Sequence, residues 1–301
     1  MAKAELVVPP ELTAPDPSRE CVVTTDVSEF AFCACLSQEN KVHTSTRFCF
    51  KTEMSDPSNG PPIETLIPSS IPELYARSNA FQRNTNITCL DFLQQTFSPT
   101  SDVNQQFLDV GCGTGDFTRQ ELLPRCQPCR RIVATEVVHE TAEYAKKHSA
   151  HPQIVYEEHD IRGDVSGLEA KYGKFDRVYS LFALHWVEDQ AATLRNIVSL
   201  MKDDGDCVLV FAARTTLCKI WKRIVQLDRW RAYDELSRRF IAKSQSMEDR
   251  STLVSYMLDT LKSANLKPLT CEVMTAVQSV EDSDLVMGEL AMILVPAKPI
   301  C

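Results

Sequence analysis

Three glycines within five residues constrain this sequence more than any other feature. The chain has only 9 glycines in 301 residues, yet Gly111, Gly113 and Gly115 fall together. An apolar segment at 106–110 precedes them and a helix-compatible segment at 117–123 follows. Because glycine adopts backbone conformations that other residues avoid, this clustering predicts a tight strand-to-helix turn. A ligand can approach such a backbone closely, and the helix start offers free N–H groups.

Apolar segments and helical periodicity alternate along the chain from about residue 73. Strands are predicted at 106–110, 131–137, 153–158, 175–184 and 206–212. Helices are predicted at 84–97, 117–123, 140–148, 189–202 and 253–261. This alternation indicates an α/β fold with a mostly parallel sheet covered on both faces.

Two parts of the chain depart from this alternation. Residues 1–70 are rich in proline and are expected to form a poorly ordered N-terminal extension, with a hairpin formed by 21–36 and 42–51. Residues 71–301 are expected to form the main domain. About 50 mostly helical residues follow the fifth strand, and a helical lid is predicted at 215–248, at the sheet edge where open α/β folds bind ligands.

Composition excludes several classes of protein. The net charge of −9 disfavours nonspecific nucleic-acid binding, which depends on lysine and arginine. The absence of long apolar runs and of a secretory signal predicts a cytoplasmic chain without a membrane span. The 12 cysteines are spread thinly over 301 residues and are expected to be reduced. The pair Cys126 and Cys129 is interpreted as structural thiols rather than a zinc site. No metal site is predicted.

The acidic residue before the glycines indicates the kind of ligand. The spacing is Gly-x-Gly-x-Gly, which differs from the dinucleotide fingerprint and lacks the Gly-Lys-Ser/Thr of a phosphate loop. The carboxylate of Asp109 would repel a pyrophosphate but suits a cationic ligand. The residues therefore favour a sulfonium cofactor over NAD or ATP.

The motif LDVGCGTG at 108–115 resembles the first motif of class I S-adenosylmethionine-dependent methyltransferases. The resemblance implies a Rossmann-like, doubly wound sheet of seven strands and S-adenosylmethionine as the cofactor. It implies that four residues surround the amino-acid and sulfonium end: Asp109, Gly111, Gly113 and Gly115. It further implies that Glu136 holds the ribose hydroxyls, and that Asp160 and Ile161 contact the adenine.

A closer resemblance covers roughly residues 72–275. The segments PELYARSNAFQ at 72–82, LHWV at 184–187 and GDCVLVF at 205–211 resemble the arthropod juvenile hormone acid O-methyltransferases. In that family, residues at the positions of Gln82 and Trp186 are thought to hold the substrate carboxylate. Both are neutral donors, which orient a carboxylate without neutralising its nucleophilic charge. His185 is either a third donor or a packing residue, and the packing interpretation is favoured.

The resemblance implies methyl transfer to a small apolar carboxylic acid, such as farnesoic acid, by a monomer or homodimer. Three alternatives stay open: a methyltransferase for another small molecule, a non-catalytic cofactor-binding relative, and a protein methyltransferase. The sequence after 275 is shorter than in the family, with one further strand expected at 291–295, and this shortening bears on the acceptor pocket.

Overall fold

A computed structural model describes residues 21–28, 31–38, 72–93, 102–276 and 290–299. Within these ranges, each helix is too short or too polar to cross a membrane. The predicted loop region at 1–20, residues 54–71 of the loop region predicted at 54–72, and the second hairpin segment at 42–51 lie outside the described residues.

Ten strands and nine α-helices follow one another along the described chain. The strands are β1 (Cys21–Ser28), β2 (Ala31–Gln38), β3 (Gln106–Val110), β4 (Arg131–Glu136), β5 (Ile154–Glu158), β6 (Phe175–Leu181), β7 (Met201–Thr215), β8 (Leu266–Pro268), β9 (Glu272–Ala276) and β10 (Leu290–Pro299). The helices are α1 (Pro72–Ser78), α2 (Ala80–Leu93), α3 (Leu123–Arg125), α4 (His139–His148), α5 (Ser166–Tyr172), α6 (Gln190–Leu200), α7 (Thr216–Ile224), α8 (Asp234–Phe240) and α9 (Arg250–Ser263). A π-helical segment, Thr118–Leu122, leads into α3, and short 3-10 turns lie at Leu184–Trp186, Asp228–Tyr233 and Lys243–Ser246.

The main sheet has the strand order β5-β4-β3-β6-β7-β10-β8, and β9 also pairs with β10. Because β8 and β9 pair with different parts of β10, they share one place in a sheet of seven positions. The pairs from β5 to β7 are parallel, whereas β10 runs antiparallel to its neighbours. The strand order reverses between β3 and β6, which places a ligand crevice at the carboxyl ends of these two strands.

Adjacent residues of β3 face opposite sides of the sheet and enter different cores. Phe107 packs in the core that includes residues of α2, among them Cys89 and Leu93. Leu108 packs in the opposite core with residues of α6 and α9. Two aspartates fix the starts of these latter helices: Asp189 caps α6 and Asp249 caps α9, each accepting from a backbone N–H three residues on.

The Gln106 side chain joins the start of β3 to the neighbouring strands by hydrogen bonds. Its side-chain amide donates to the carbonyls of Tyr172 (2.7 Å) and Lys174 (2.9 Å), just before β6. Its amide oxygen accepts from two nitrogens of Arg131, at the start of β4. One buried side chain thus joins the three central strands below the glycine turn.

The structure confirms the predicted α/β class, and the strand predicted at 106–110 has the predicted bounds. The hairpin differs from the prediction: β1 and β2 pair with each other, with Cys21 opposite Gln38, so both strands come from the first predicted segment. Helix α5 was not predicted, because seven residues give little periodicity. Helical segments follow β7 at 216–246, as expected for the stretch predicted to form a lid.

We predict that Gln106→Met lowers the free energy of unfolding by roughly 2–4 kcal/mol, because the Lys174 carbonyl and the Arg131 guanidinium lose their bonds to Gln106 and the Tyr172 carbonyl keeps only Arg131. Urea unfolding at constant pH measures this. Gln105→Met is the matched control, because the buried Gln105 amide oxygen has no partner among the described residues. Equal stabilities of the two variants would contradict the proposed role of Gln106.

Candidate active site

The three clustered glycines form the turn that leaves β3. Their φ angles are +77°, +56° and +72°, which side chains other than glycine rarely adopt. Two of the positions also lack space for a side chain. A Cβ on Gly111 would lie 2.3 Å from the Cβ of Ala183, and a Cβ on Gly115 would lie 2.6 Å from the Tyr156 ring. Backbone angle and close packing both require glycine here.

The neighbouring strands hold this glycine loop from below. The backbone N–H groups of Gly111 and Cys112 both donate to the Thr135 carbonyl, at 2.8 and 3.0 Å. The Tyr156 hydroxyl lies within hydrogen-bond distance of the carbonyls of Gly115 (3.1 Å) and Ser149 (3.0 Å). These contacts fix the loop conformation before any ligand binds.

Asp109 is a buried carboxyl at the end of β3. It is 3% exposed and accepts a 2.6 Å hydrogen bond from the Thr118 hydroxyl. Burial raises its pKa from 3.8 to about 6; the Thr118 hydrogen bond opposes this rise and the nearby Glu136 carboxylate adds to it. Neither neighbour supplies positive charge, so a cationic ligand at this site would stabilise the ionised form of Asp109.

Glu136 joins the end of β4 to the glycine loop. One carboxylate oxygen accepts from the Gly113 N–H at 3.0 Å, and the other accepts from the N–H groups of Val137 and Val138. Burial raises the pKa of Glu136, and these backbone donors oppose the rise. The structure therefore brings together three residues that the sequence predicted to share a site: Asp109, Gly113 and Glu136.

Asp160 and Ile161 follow β5 and lie beside this group. The His159 N–H donates to the Glu136 carbonyl at 2.9 Å, which ties the two strand ends together. Ile161 is 7% exposed and belongs to the core. The Asp160 carboxylate is paired with the Arg162 guanidinium at 2.7 Å, and this contact lowers the pKa of Asp160. The negative charge of Asp160 is therefore already paired with a positive charge of this chain.

Helices α1 and α2 lie against the other side of the glycine loop. The Tyr75 ring would be 3.5 Å from a Cβ on Gly113. The Asn79 amide donates to the Asp116 carboxylate at 3.1 Å, and the Arg83 guanidinium contacts the same carboxylate at 3.2 Å. Gln82 stands one helical turn after Asn79, so α2 carries it close to the loop.

The end of β6 contacts the loop from a third direction. Phe182 has a φ of +58°, an unusual conformation for a bulky residue, and its N–H donates to the Val210 carbonyl. The next residue, Ala183, is the one that packs on Gly111. The Trp186 N–H donates to the Ala183 carbonyl at 3.1 Å, which places Trp186 one 3-10 turn from the loop. Backbone strain of this kind concentrates at functional sites.

Gln82 and Trp186 share an uncommon property. The Gln82 Oε1 and Trp186 Nε1 atoms are buried and have no hydrogen-bond partner within the described chain. Leaving such a group unpaired costs about 1–3 kcal/mol, so buried polar atoms of native proteins are almost always satisfied. Two residues that the sequence singled out as carboxylate donors thus both have an unused buried polar atom.

His185 is a neutral packing residue in this structure. Its ring packs edge-to-face against Phe182 with centroids 6.1 Å apart, and its Nδ1 lies 3.4 Å from the Ala212 N–H. Burial lowers the pKa of His185 to about 3. These contacts support the packing interpretation over a charged donor.

The predicted structural thiols, Cys126 and Cys129, are both buried and free. Burial raises the pKa of each thiol, which makes it unreactive. The described residues contain no cluster of three or more histidine, cysteine or acidic side chains that could hold a metal ion.

Sequence reasoning missed the residues that support the site from a distance. Asn196 is one example: its amide donates to the carbonyls of Ile161 (2.8 Å) and Gly163 (2.9 Å) and holds the loop after β5. Asp116 is another, since it joins the glycine loop to α2. Both act through partners more than 30 residues away, and no local pattern marks them.

Comparison with known proteins adds a sequence relationship. Residues 108–209, from β3 into β7, match the family described as a methyltransferase domain. The juvenile hormone acid O-methyltransferase of Bombyx mori is 28% identical over 223 residues, 73% of this chain and 77% of that protein. The Drosophila melanogaster protein of the same name is 30% identical over 171 residues, 56% of this chain and 57% of that protein. A solved SAM-dependent methyltransferase from Anabaena variabilis aligns with a TM-score of 0.48 at 15% identity, over 71% of this chain and 83% of that chain.

We predict that Asp109→Asn stabilises the ligand-free protein at pH 7.5, by up to about 3 kcal/mol. The folded-state pKa of about 6 lies above the ordinary value of 3.8, so the stability that the protonated carboxyl provides is complete below pH 4 and is lost as the pH rises through 6. The asparagine stays neutral and can still accept from Thr118.

Urea unfolding at pH 4 and pH 7.5 measures this difference, which we expect to vanish at the lower pH. Asp259→Asn, at an exposed position of α9, is the control. An Asp109→Asn protein that is no more stable than the wild type at pH 7.5 would refute the prediction.

Proposed function

We propose that this chain, a class I S-adenosylmethionine-dependent methyltransferase related to the juvenile hormone acid O-methyltransferases, methylates the carboxylate of a small apolar acid such as farnesoic acid or juvenile hormone acid. The observation that carries this proposal is the pair of unsatisfied buried atoms on Gln82 and Trp186. Gln82 lies one turn after Asn79, which donates to Asp116 beside the glycine loop. Trp186 lies one turn after Ala183, which packs on Gly111.

The residues around the glycine loop fit the cofactor. S-adenosylmethionine supplies an electrophilic methyl group on a sulfonium centre. We place its positively charged amino-acid end near Asp109, whose raised pKa reflects a buried carboxylate without a cation. Its carboxylate would face backbone N–H groups of the helical turn that follows the loop. Gly111, Gly113 and Gly115 allow this close approach.

Glu136 and the loop after β5 would hold the nucleoside. A carboxylate has about four acceptor positions, and Glu136 uses three of them on backbone N–H groups. The remaining capacity suits a ribose hydroxyl. Ile161 offers an apolar side chain to the adenine, whereas Asp160 can accept from the adenine amino group only after Arg162 moves aside.

Gln82 and Trp186 would orient the acceptor carboxylate. The indole Nε1–H of Trp186 is a donor only, and the carboxylate oxygen is the acceptor that it lacks. The Gln82 amide presents its Nε2 donor to the same carboxylate when it rotates by half a turn, which exchanges its two nearly identical ends. Because both donors are neutral, they position the carboxylate without reducing its nucleophilic charge.

The reaction needs no general base. A carboxylic acid is already ionised at neutral pH, since its pKa is near 4–5. His185, the nearest histidine to Trp186 in sequence, has a pKa of about 3 and packs against the Phe182 ring. Catalysis would therefore rest on positioning the carboxylate oxygen in line with the methyl group and on excluding water.

The helical segment after β7 would cover the acceptor. It leaves the sheet beside His185, because the Ala212 N–H of β7 contacts that ring. Gln245, at the far end of the segment, is joined back to β7 by accepting from the Thr215 N–H and donating to the Ala212 carbonyl. We propose that residues 215–248 form a lid over the acceptor, with both ends fixed at the carboxyl end of β7.

We predict that Gln82→Leu and Trp186→Phe each lower methyl transfer to farnesoic acid at least tenfold, because each removes a donor to the carboxylate. Transfer of a labelled methyl group by the purified protein measures this. S-adenosylhomocysteine affinity, measured by calorimetry, should stay within about twofold of the wild type, since both residues lie outside the proposed cofactor contacts.

The acceptor class is tested with the same assay on amines and phenols of similar size. Asn84→Leu, at an exposed position of α2, is the matched control for Gln82→Leu and should retain full activity. Methyl transfer to amines or phenols but not to carboxylates would overturn the proposed acceptor. Unchanged turnover in both Gln82→Leu and Trp186→Phe would discard the carboxylate contact.

A further inference from the structure

Asn86 is a second buried polar side chain on α2 with an unused atom. The residue is 6% exposed, and its Oδ1 atom has no hydrogen-bond partner in the part of the chain that the structure describes. Neither the cofactor contacts proposed above nor the carboxylate contact uses it. Buried amide oxygens in native proteins are almost always hydrogen-bonded, so we expect a partner for this atom from outside the described residues.

The position of Asn86 on the helix relates it to the acceptor site. Gln82 and Asn86 are four residues apart on α2 and therefore share one face of the helix, and Asn79 directly precedes the helix. Asn79, the first of the three, is satisfied by Asp116 beside the glycine loop. The next two have unsatisfied oxygens, and the buried residues that follow on α2, Cys89 and Leu90, are apolar. Within α2, the unsatisfied polar atoms therefore lie between the end nearest the glycine loop and the apolar residues of the core.

Folding alone does not favour asparagine here. Asparagine is a weak helix former compared with leucine, and its unpaired buried amide adds a desolvation cost. A leucine at position 86 would continue the apolar face formed by Leu90 and Leu93. The site instead keeps a side chain that can both donate and accept a hydrogen bond.

We propose that Asn86 binds a second polar group of the acceptor, an oxygen function on an otherwise apolar chain. This inference rests on the proposed carboxylate methylation, because Gln82 marks where the carboxylate lies. Side chains at positions i and i+4 of a helix are about 5–6 Å apart, which an extended carbon chain spans with roughly four or five bonds. Because the unsatisfied Oδ1 atom accepts hydrogen bonds, the preferred acceptor is an apolar acid with a hydroxyl donor near its fifth or sixth carbon.

Three probe acids test this geometry: dodecanoic acid, its 6-hydroxy derivative and its 12-hydroxy derivative. Calorimetry measures their binding to the protein saturated with S-adenosylhomocysteine. We expect the wild type to bind the 6-hydroxy acid about fivefold more tightly than the 12-hydroxy acid, the ratio expected for one net hydrogen bond. Asn86→Leu should reduce this ratio to about one while the affinity for dodecanoic acid stays within about twofold.

Control variants separate the contact from a role in folding. Asn84→Leu, on the exposed side of α2, should keep the wild-type ratio. Asn86→Ala removes the same amide without adding bulk, so it serves if the leucine variant does not fold. A wild-type ratio near one, or a ratio that survives both Asn86 variants, would overturn the inference.

Failure of the proposed function would look different. In that case the protein would bind S-adenosylhomocysteine, yet none of the three acids would bind or be methylated, and the role of Asn86 would fall with the function. If dodecanoic acid is bound and methylated but the position of the hydroxyl has no effect, only the role of Asn86 is wrong.

Discussion

The hydrogen bond from the Gly113 N–H to the Glu136 carboxylate is the contact on which the site depends. It fixes the turn after β3 to the end of β4, across 23 residues of sequence. With the turn held there, Ala183 can pack on Gly111 and Tyr75 can lie against Gly113. These two contacts bring the ends of β6 and α1 to the loop, and thereby Trp186 and Gln82. Backbone conformations that residues other than glycine rarely adopt thus organise both the proposed cofactor site and the proposed acceptor site.

Electrostatics explain why this arrangement suits a cationic cofactor. Asp109 and Glu136 are both buried, and each has its pKa raised by burial. Two neighbouring buried carboxylates destabilise the empty protein, and a bound cation relieves this cost. The empty site is therefore destabilised by its negative charge, and binding of the cationic cofactor reduces this destabilisation. Functional sites commonly lower the stability of a protein in this way. The unsatisfied atoms of Gln82, Asn86 and Trp186 are a second cost of this kind, on the acceptor side.

Local patterns in the sequence predicted the parallel strands and the glycine turn, because a short apolar run and a glycine cluster have direct structural meanings. The resemblance to methyltransferases supplied Gln82 and Trp186, which no spacing argument could single out. What the sequence did not reveal depends on tertiary contacts. Asp116 meets Asn79 and Arg83 across more than 30 residues, and the strained φ of Phe182 follows from its place between β7 and the glycine loop. The hairpin pairing, with Ser28 opposite Ala31, was not indicated by alternation alone.

The central claim is that one loop holds the cofactor while Gln82 and Trp186 hold the acceptor carboxylate. A crystal structure of the protein with S-adenosylhomocysteine and farnesoic acid tests it most directly. We expect the cofactor amino group near Asp109, and a carboxylate oxygen within about 3.2 Å of both Trp186 Nε1 and the Gln82 amide nitrogen. A carboxylate bound elsewhere, with Gln82 and Trp186 still unpaired, would contradict it.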